Sequence, residues 1–349
     1  MPTVSIIVPS FNHSQFLDRR LGSILQQTFT DFEVIFLDDA STDNSKDVFQ
    51  KYANHQKIKS KFYSVNSGSP FVQWNRGIGM SQGDYIWIAE SDDFSDIHFL
   101  EIMIGTLERH PAAALAYCES QIVRDDGELV SFLDYYGRLP MAERWSDNYY
   151  SNGSNELAQY LVFQNTIPNA SAVLFRKNPP GGLPVAPEHM RLGGDWMFWC
   201  KLAAQGDVCY VAKPLNYFRD VHNQSQRART ARQALEVLEG LEVFEFIISQ
   251  VDLPPDTRSQ VLRRQIWVWA NMAFQHRLEP GVGKKIRRQL IRLHPQISKT
   301  SFWHISLPFI FFYVKAALKS VPFVVLPYRK ARQGFRWILS RFKKNESGA

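Results

Sequence analysis

The 349-residue chain is short of cysteine, of long apolar runs and, towards its end, of acid. Its three cysteines, Cys118, Cys200 and Cys209, form no CxxC pair. That excludes a disulfide framework and suits a reducing compartment. No stretch of about 18 uninterrupted apolar residues occurs, so no simple membrane span is expected. Met1 runs almost directly into a strand-like segment at 4–8, where no signal peptide is read. No Ser/His/Asp or Cys/His arrangement for nucleophilic catalysis is legible. Acid is missing from one region only: residues 284–349 hold 15 Lys and Arg against the single acid Glu346. The preceding 283 residues hold 25 Lys and Arg against 33 Asp and Glu. The formal charge of +6 therefore joins an acidic body of net −8 to a basic tail of net +14.

With 45% apolar, 13% aromatic and 21% charged residues, the chain can bury a sizeable core and is not intrinsically disordered. Its length fits two domains, or one large α/β domain with an appendage. The first 120 residues alternate between two hydrophobic periods. Short β-branched runs at 3–9, 32–37, 62–65, 84–89 and 113–118 read as strands. Helical spacing appears at 15–27, 71–81 and 99–109, and Ser41 or Thr42 can cap a further helix running to about Tyr52. Strands that alternate with helices imply a mostly parallel sheet with right-handed crossovers. Beyond 120 the expectations are a hairpin at Asp125-Asp126-Gly127, helices near 154–163 and 195–205, and strands near 170–176 and 208–211. From about residue 230 the pattern is helical.

Parallel sheets bind ligands beyond the carboxyl ends of their strands, and two acidic clusters fall there. Glu90-Ser91-Asp92-Asp93 places three carboxylates within four residues. Their repulsion is offset by a cation, and hard oxygen donors select Mg²⁺ or Mn²⁺. Such an ion keeps sites open for phosphate oxygens and suits a diphosphate leaving group. The plainer reading is an acidic start to the following helix. Asp38-Asp39 ends the second strand, either as a capping turn or as an acceptor for a base N–H or a ribose hydroxyl.

In order along the chain come Val4-Ser5-Ile6-Ile7-Val8-Pro9-Ser10-Phe11-Asn12, the stretch Ser23 to Val34, Asp38-Asp39-Ala40-Ser41-Thr42-Asp43, the stretch Asn75 to Ile78, and Gly83-Asp84-Tyr85-Ile86 leading to Asp92-Asp93. This ordered set resembles the family 2 glycosyltransferases, over about residues 3–225. The resemblance implies an α/β GT-A nucleotide-diphospho-sugar transferase fold, with a Rossmann-like sheet and flanking helices. It implies that Pro9, Ser10, Phe11 and Asp39 line the base and ribose pocket. Asp92 and Asp93 would form the DxD-type pair that holds ribose, diphosphate and metal, with Glu90 the first acid of that motif. Many members carry Ala-Arg-Asn-x-Gly-Ile before this motif. Here the stretch is Gln73-Trp74-Asn75-Arg76-Gly77-Ile78, so Trp74 stands where arginine is frequent and the cation has moved to Arg76. Asn75 and Arg76 are the donor-binding candidates of this segment. Asp195, in Gly193-Gly194-Asp195-Trp196, matches the family's general base and also suits a helix N-cap. Leu215 to His222 resembles a family segment closing over the donor, with Arg219 on the diphosphate and His222 on the metal; both also read as surface residues. Trp145, Tyr149, Tyr150 and Trp196 suit either stacking on acceptor sugars or the core.

The expected organisation is a glycosyltransferase domain over 1–228, with a nucleotide-binding half to 120 and an acceptor half beyond it. A helical region over 229–349 follows, with a basic and aromatic extension at about 296–344. Aromatic residues interleaved with Lys and Arg suit an anchor lying in the plane of an anionic membrane. Nucleic-acid binding and a helical subdomain packed on the body are the other readings of this tail, and nucleic acid is ranked below the membrane. The resulting expectation is an inverting, metal-dependent transferase. Its partners would be a nucleoside-diphosphate sugar and a glycan or lipid-linked acceptor, met in the cytoplasm at the inner face of the membrane. A non-catalytic sugar-nucleotide or lipid-binding protein, or an interaction module built on the tail, remain the opposing classes.

Overall fold

A computed structural model describes residues 1–124, 126–131, 142–167, 169–219, 233–275 and 278–294. His222, Asp125 of the expected hairpin and the whole 296–344 tail lie outside the described residues. The chain divides into two compact units, Met1–Thr230 with Leu235–Val261, and Ala231–Ala234 with Leu262–Ala349.

The first unit is built on a ten-stranded sheet with helices against it. Strands β1 (Val4–Ser10), β2 (Phe32–Asp38) and β4 (Tyr85–Ile88) are buried along their whole length. They are therefore continuous apolar runs rather than alternating ones. Strand β3 (Ile58–Phe62) is partly exposed and carries Lys59 and Lys61, as expected of an edge. It replaces the strand expected at 62–65: the apolar pair Phe62 and Tyr63 marks its end rather than its start. The helices are α1 (Ser14–Leu25), α2 (Ser45–Phe49), α3 (Pro70–Met80) and α4 (Phe99–Arg109). Helix α2 is shorter than expected and Asn44 stands at its N-cap. The cap oxygen comes from Asp43, which accepts from the Ser45 amide at 3.0 Å, so neither Ser41 nor Thr42 fills that place.

The strand order is β3-β2-β1-β4-β9-β6-β10-β5. The β3, β2, β1 and β4 pairings are parallel, as are β6 (Ala113–Val123) and β10 (Asp207–Arg219). Strand β9 (Val173–Arg176) lies antiparallel between β4 and β6. The sheet is thus mixed rather than uniformly parallel, because a segment from beyond residue 120 returns to separate two strands of the first half. Short antiparallel strands complete it: β5 (Phe94–Ser95) and β8 (Tyr149–Ser151) on β10, and β7 (Leu129–Ser131) on β6. Helix α5 (Gly153–Glu156) passes into a π-helical turn at Leu157–Leu161. A 3₁₀ turn at Ala170–Ala172 precedes β9, and helix α6 (Gly194–Ala203) precedes β10. Helix α7 (Leu235–Gln250) belongs to the same unit.

The core gathers Val4, Ile6 and Val8 of β1, Leu17, Leu21 and Ile24 of α1, and Phe99, Met103 and Leu107 of α4. Trp87 stacks on Phe99 with ring centroids 4.4 Å apart. In the second unit, α9 (Val282–Leu293) buries Ile286 and Leu290, while Lys284, Lys285, Arg288 and Arg292 are exposed. Helix α8 (Pro255–Gln275) runs from the first unit into the second. Among the described residues, no helix is long and apolar enough to cross a membrane.

Candidate active site

Strand order reverses between β1 and β4, and the carboxyl ends of β1, β2 and β4 open on one edge of the sheet. That is where an open α/β sheet forms its crevice. Two non-glycine residues adopt left-handed backbone there, Asn12 (φ 57°) and Ala40 (φ 63°). They sustain each other's turns, since the Asn12 amide donates to Ser41 Oγ at 3.0 Å and the Thr42 amide to Asn12 Oδ1 at 2.8 Å. Such held outliers concentrate at functional sites. Ser10 Oγ is buried and has no hydrogen-bond partner among the described residues, whereas Phe11 is 43% exposed. Pro9, facing Leu37 in the β1–β2 ladder, is buried backbone structure.

Asp39 follows β2 and is only 5% exposed. Its carboxylate accepts from the Ser67 amide at 3.0 and 3.1 Å, from Ser67 Oγ at 2.7 Å and from the Gln73 side chain. Arg76 Nη1 stands 3.9 Å from it, with the guanidinium 4.0 Å above the Tyr63 ring. Arg76 is thus drawn to the Asp39 side of the crevice. Asn75 is committed elsewhere: its amide bonds the backbone of Ala186 in both directions and Glu188 Oε1.

The three acids after β4 diverge. Glu90 Oε1 accepts from the Trp74 indole at 2.8 Å, and burial and the Asp92 carboxylate push the Glu90 pKa up to about 8. Asp93 is 1% exposed and spends both oxygens on protein, taking the Arg219 amide and the Asn169 amide group at 3.1 Å each. Burial and Asp92 raise its pKa to about 6, against the pull of Arg20 at 3.9 Å. Asp92 is half-buried, and its carboxylate has no hydrogen-bond partner among the described residues. Only its carbonyl oxygen is taken, by the Arg219 guanidinium, which lies over the Phe16 and Phe94 rings. Strand β5 pairs Phe94 with Tyr217 of β10, and their stacked rings bring the end of β10 to the acidic loop.

Beneath that loop lies Arg20 of α1, fully buried. It donates to the Glu90 carbonyl at 2.7 Å and to Ser171 Oγ at 2.9 Å. Burial lowers its pKa to about 10. Asp195 stands in the first turn of α6, whose N-cap is Gly193, so the carboxylate does not cap the helix. Its oxygens accept from Asn165 Nδ2 at 2.9 Å and the Trp196 amide at 2.7 Å. Burial, with a further push from Glu239, raises its pKa to about 7. Two routes join Asp195 to the acidic loop. Asn165 and Asn169, four residues apart, hold Asp195 and Asp93 respectively. On the other side Gly194 packs closely on the Phe71 ring, which lies 5.1 Å from Trp74, the partner of Glu90.

Residues 5–162 match the sequence profile described as Glycosyl transferase family 2. Over that segment, a little under half of its length, the chain is similar to family 2 glycosyltransferases. TuaG of Bacillus subtilis (strain 168), named as a teichuronic acid biosynthesis glycosyltransferase, is 24% identical over 250 residues, 70% of this chain and 91% of TuaG. The chain spans about a fifth of the length of other curated relatives, 19% and 20%. Among solved structures, Staphylococcus aureus TarS (residues 1–349, in complex with UDP-GlcNAc) superposes with a TM-score of 0.56. It shares 16% identity, over 90% of this chain and 92% of TarS. The mannosyltransferase PcManGT from Pyrobaculum calidifontis, in complex with GDP-Man and Mn²⁺, gives a TM-score of 0.52 at 17% identity, over 99% and 87%. The fold is therefore that of the GT-A transferases.

In the first unit, Ser10, Phe11, Asp39, Arg76, Glu90, Asp92 and Asp93 belong to the family-matched segment, and Asp195 and Arg219, beyond it, are tied to the acidic loop by the contacts above. Asn75 does not join them, and His222 lies outside the described residues. Among the described residues, no group of three His, Cys, Asp or Glu side chains is disposed to hold a metal. Of the acidic loop, Asp92 has a carboxylate with no hydrogen-bond partner among the described residues. That fits Mg²⁺ or Mn²⁺, which bind through one or two carboxylates and complete their shell with phosphate and water. Sequence reasoning missed Arg20, Ser67, Asn165 and Asn169. Arg20 did leave a signal, since it lies on the apolar stripe of Leu17, Leu21 and Ile24. Of the four aromatics, Trp145 and Tyr149 belong to a buried cluster around Tyr117. Tyr150 is exposed and bonded to Asp207, and the Trp196 indole donates to the Leu161 carbonyl at 2.9 Å, beside the π turn.

Proposed function

We propose that the protein moves a sugar from a nucleoside-diphosphate donor to a hydroxyl acceptor with inversion, Asp195 acting as general base. The observation that carries this reading is the Asp195 carboxylate, with a pKa of about 7 and two fixed donors. A base of that strength takes up an acceptor proton effectively near neutrality. Attack from the face opposite the diphosphate inverts the anomeric carbon in a single displacement, so no residue need form a covalent intermediate. Asp39 and the buried Ser10 hydroxyl would read the base and ribose, with Phe11 against the ring. Asp92 would hold a Mg²⁺ or Mn²⁺, and the ion supplies positive charge against the departing diphosphate. Arg219 orients Asp92 through its carbonyl and adds a cation to the same edge. Asp93 and Arg20 hold the loop from below.

The complexes of TarS with UDP-GlcNAc and of PcManGT with GDP-Man and Mn²⁺ support the donor class and the cation. The names of TuaG, a teichuronic acid biosynthesis glycosyltransferase, and of TarS, a poly(ribitol-phosphate) beta-N-acetylglucosaminyltransferase, support a polymeric acceptor of the glycan or polyol-phosphate class. The exposed cations of α9 and the basic tail support attachment to an anionic membrane face. The deciding experiment is a screen of UDP- and GDP-sugars with Mn²⁺, by thermal shift and then by product formation. Stabilisation by one nucleotide followed by sugar transfer is expected. No binding across the panel overturns the reading.

A further inference from the structure

We infer that Glu239 of α7, a helix beyond the family-matched segment, is a positioning residue for the catalytic base. This rests on the assignment of Asp195 as that base. The Glu239 side chain is 7% exposed, and its oxygens accept from three consecutive amides: Arg191 and Leu192 at 2.9 Å and Gly193 at 2.7 Å. No Lys, Arg or His among the described residues stands within 4.0 Å of it. A buried carboxylate without a cation is costly, and here the offset comes from the amide nest and the positive end of α6. The arrangement fixes the backbone up to Gly193. Gly194 then packs closely against Phe71, and the next residue is Asp195. The base is therefore reached through a peptide segment with every amide from 191 to 193 tied down.

Helix α7 presents two further residues to the same segment. Glu242 Oε1 meets His189 Nε2 at 2.7 Å, and a Cβ on Gly240 would stand 3.7 Å from the Trp196 ring. The His189–Glu242 pair is largely exposed, so it adds little. The buried nest is what α7 contributes to the base. It also explains an acid on the buried side of a helix whose neighbours Val237, Leu241, Val243 and Phe244 are core residues. Orienting a base in this way matters because a displacement near 1 Å at a reacting group costs about 100-fold in rate.

The test uses the full chain with Glu239→Ala, Glu239→Gln and, as a control on the same helix, Glu242→Gln. UDP affinity by calorimetry, amide hydrogen exchange, and kcat and KM with the nucleotide-sugar that the wild type turns over are measured together. Glu239→Ala is expected to lower kcat by about 100-fold, with UDP affinity unchanged and faster exchange confined to the 189–196 segment. Glu239→Gln, which keeps one acceptor oxygen, should fall between, and Glu242→Gln should match the wild type. Unchanged kcat in Glu239→Ala overturns the inference. So does UDP affinity that falls in step with kcat, or an equal loss in Glu242→Gln. If Asp195→Asn retains full turnover, the base assignment itself has failed, while the exchange data still report whether Glu239 holds the segment.

Discussion

Asp195 carries two opposite demands. A carboxylate raised to a pKa of about 7 is a good base and a poor structural residue. In the proposed role Asp195 is ionised before it accepts a proton, so kcat/KM is expected to rise with pH through about 7 and then level. A flat profile from pH 5 to 9 would remove it from the proton transfer. Its folded-state pKa lies above the ordinary 3.8, so the stabilising protonated form is complete at low pH. That contribution is lost as pH rises through 7. Asp195→Asn should accordingly abolish transfer, leave nucleotide binding intact, and gain about 1–2 kcal/mol at pH 8. Thermal melts at pH 5 and pH 8 check this, since the gain should shrink at the lower pH.

Arg20 makes the reverse case. It is a buried cation whose partners are Asp93, the Glu90 carbonyl and Ser171. Arg20→Leu leaves Asp93 buried without its ion partner and should cost about 3–5 kcal/mol in urea unfolding. The alternating segments made β1, α1 and the acidic clusters legible in the sequence. The partners of those clusters were not legible, because Asn165, Asn169 and Ser67 are ordinary polar residues in irregular stretches. Nothing in their local pattern says which distant carboxylate they meet.

At the scale of elements, the sheet decides which residues share the crevice. Strand β9 inserts antiparallel between β4 and β6, and the turn before it brings Ser171 to Arg20 and to the Glu90 amide. Strand β10 outruns its expected length and ends on Asp93. Periodicity detects a strand; it does not specify its neighbours, so the mixed order was out of reach. The entry into β4 shows how tightly these elements meet. A Cβ on Gly83 would lie 2.6 Å from the Ser5 amide nitrogen and 2.7 Å from the Val4 carbonyl carbon of β1. Both are backbone atoms that cannot rotate away. Gly83→Ala is expected to cost about 1–3 kcal/mol, with a lower urea midpoint as the readout. A midpoint equal to the wild type would mean that β1 and this turn are less closely packed.

At the scale of the whole molecule, charge separates by position. The acidic clusters belong to the first unit, while α9 of the second exposes Lys284, Lys285, Arg288 and Arg292 along one side. Each cation near an anionic bilayer contributes about 1 kcal/mol. Removal of residues 296–349 should weaken binding to phosphatidylserine vesicles, and Lys284→Glu with Arg288→Glu should weaken it further. Sedimentation in low and high salt reads both, and binding that ignores salt and truncation would exclude an electrostatic anchor.

The sequence by itself determined the likeness to family 2 glycosyltransferases, the order of the motifs that carry it, the identity of the base candidate and the split between acidic body and basic tail. Each of these is local: a short stretch of residue types at a fixed spacing. The tertiary structure decided which acids of the motif keep a free carboxylate. It turned Glu90 to Trp74 and Asp93 to Arg20 and Asn169, leaving the half-buried Asp92 carboxylate without a hydrogen-bond partner among the described residues. It also joined Glu239 of α7 to the amides of 191–193, just before Asp195. Burial and hydrogen-bond geometry set the charge state and orientation of a carboxylate, and both arise only once distant segments have packed together.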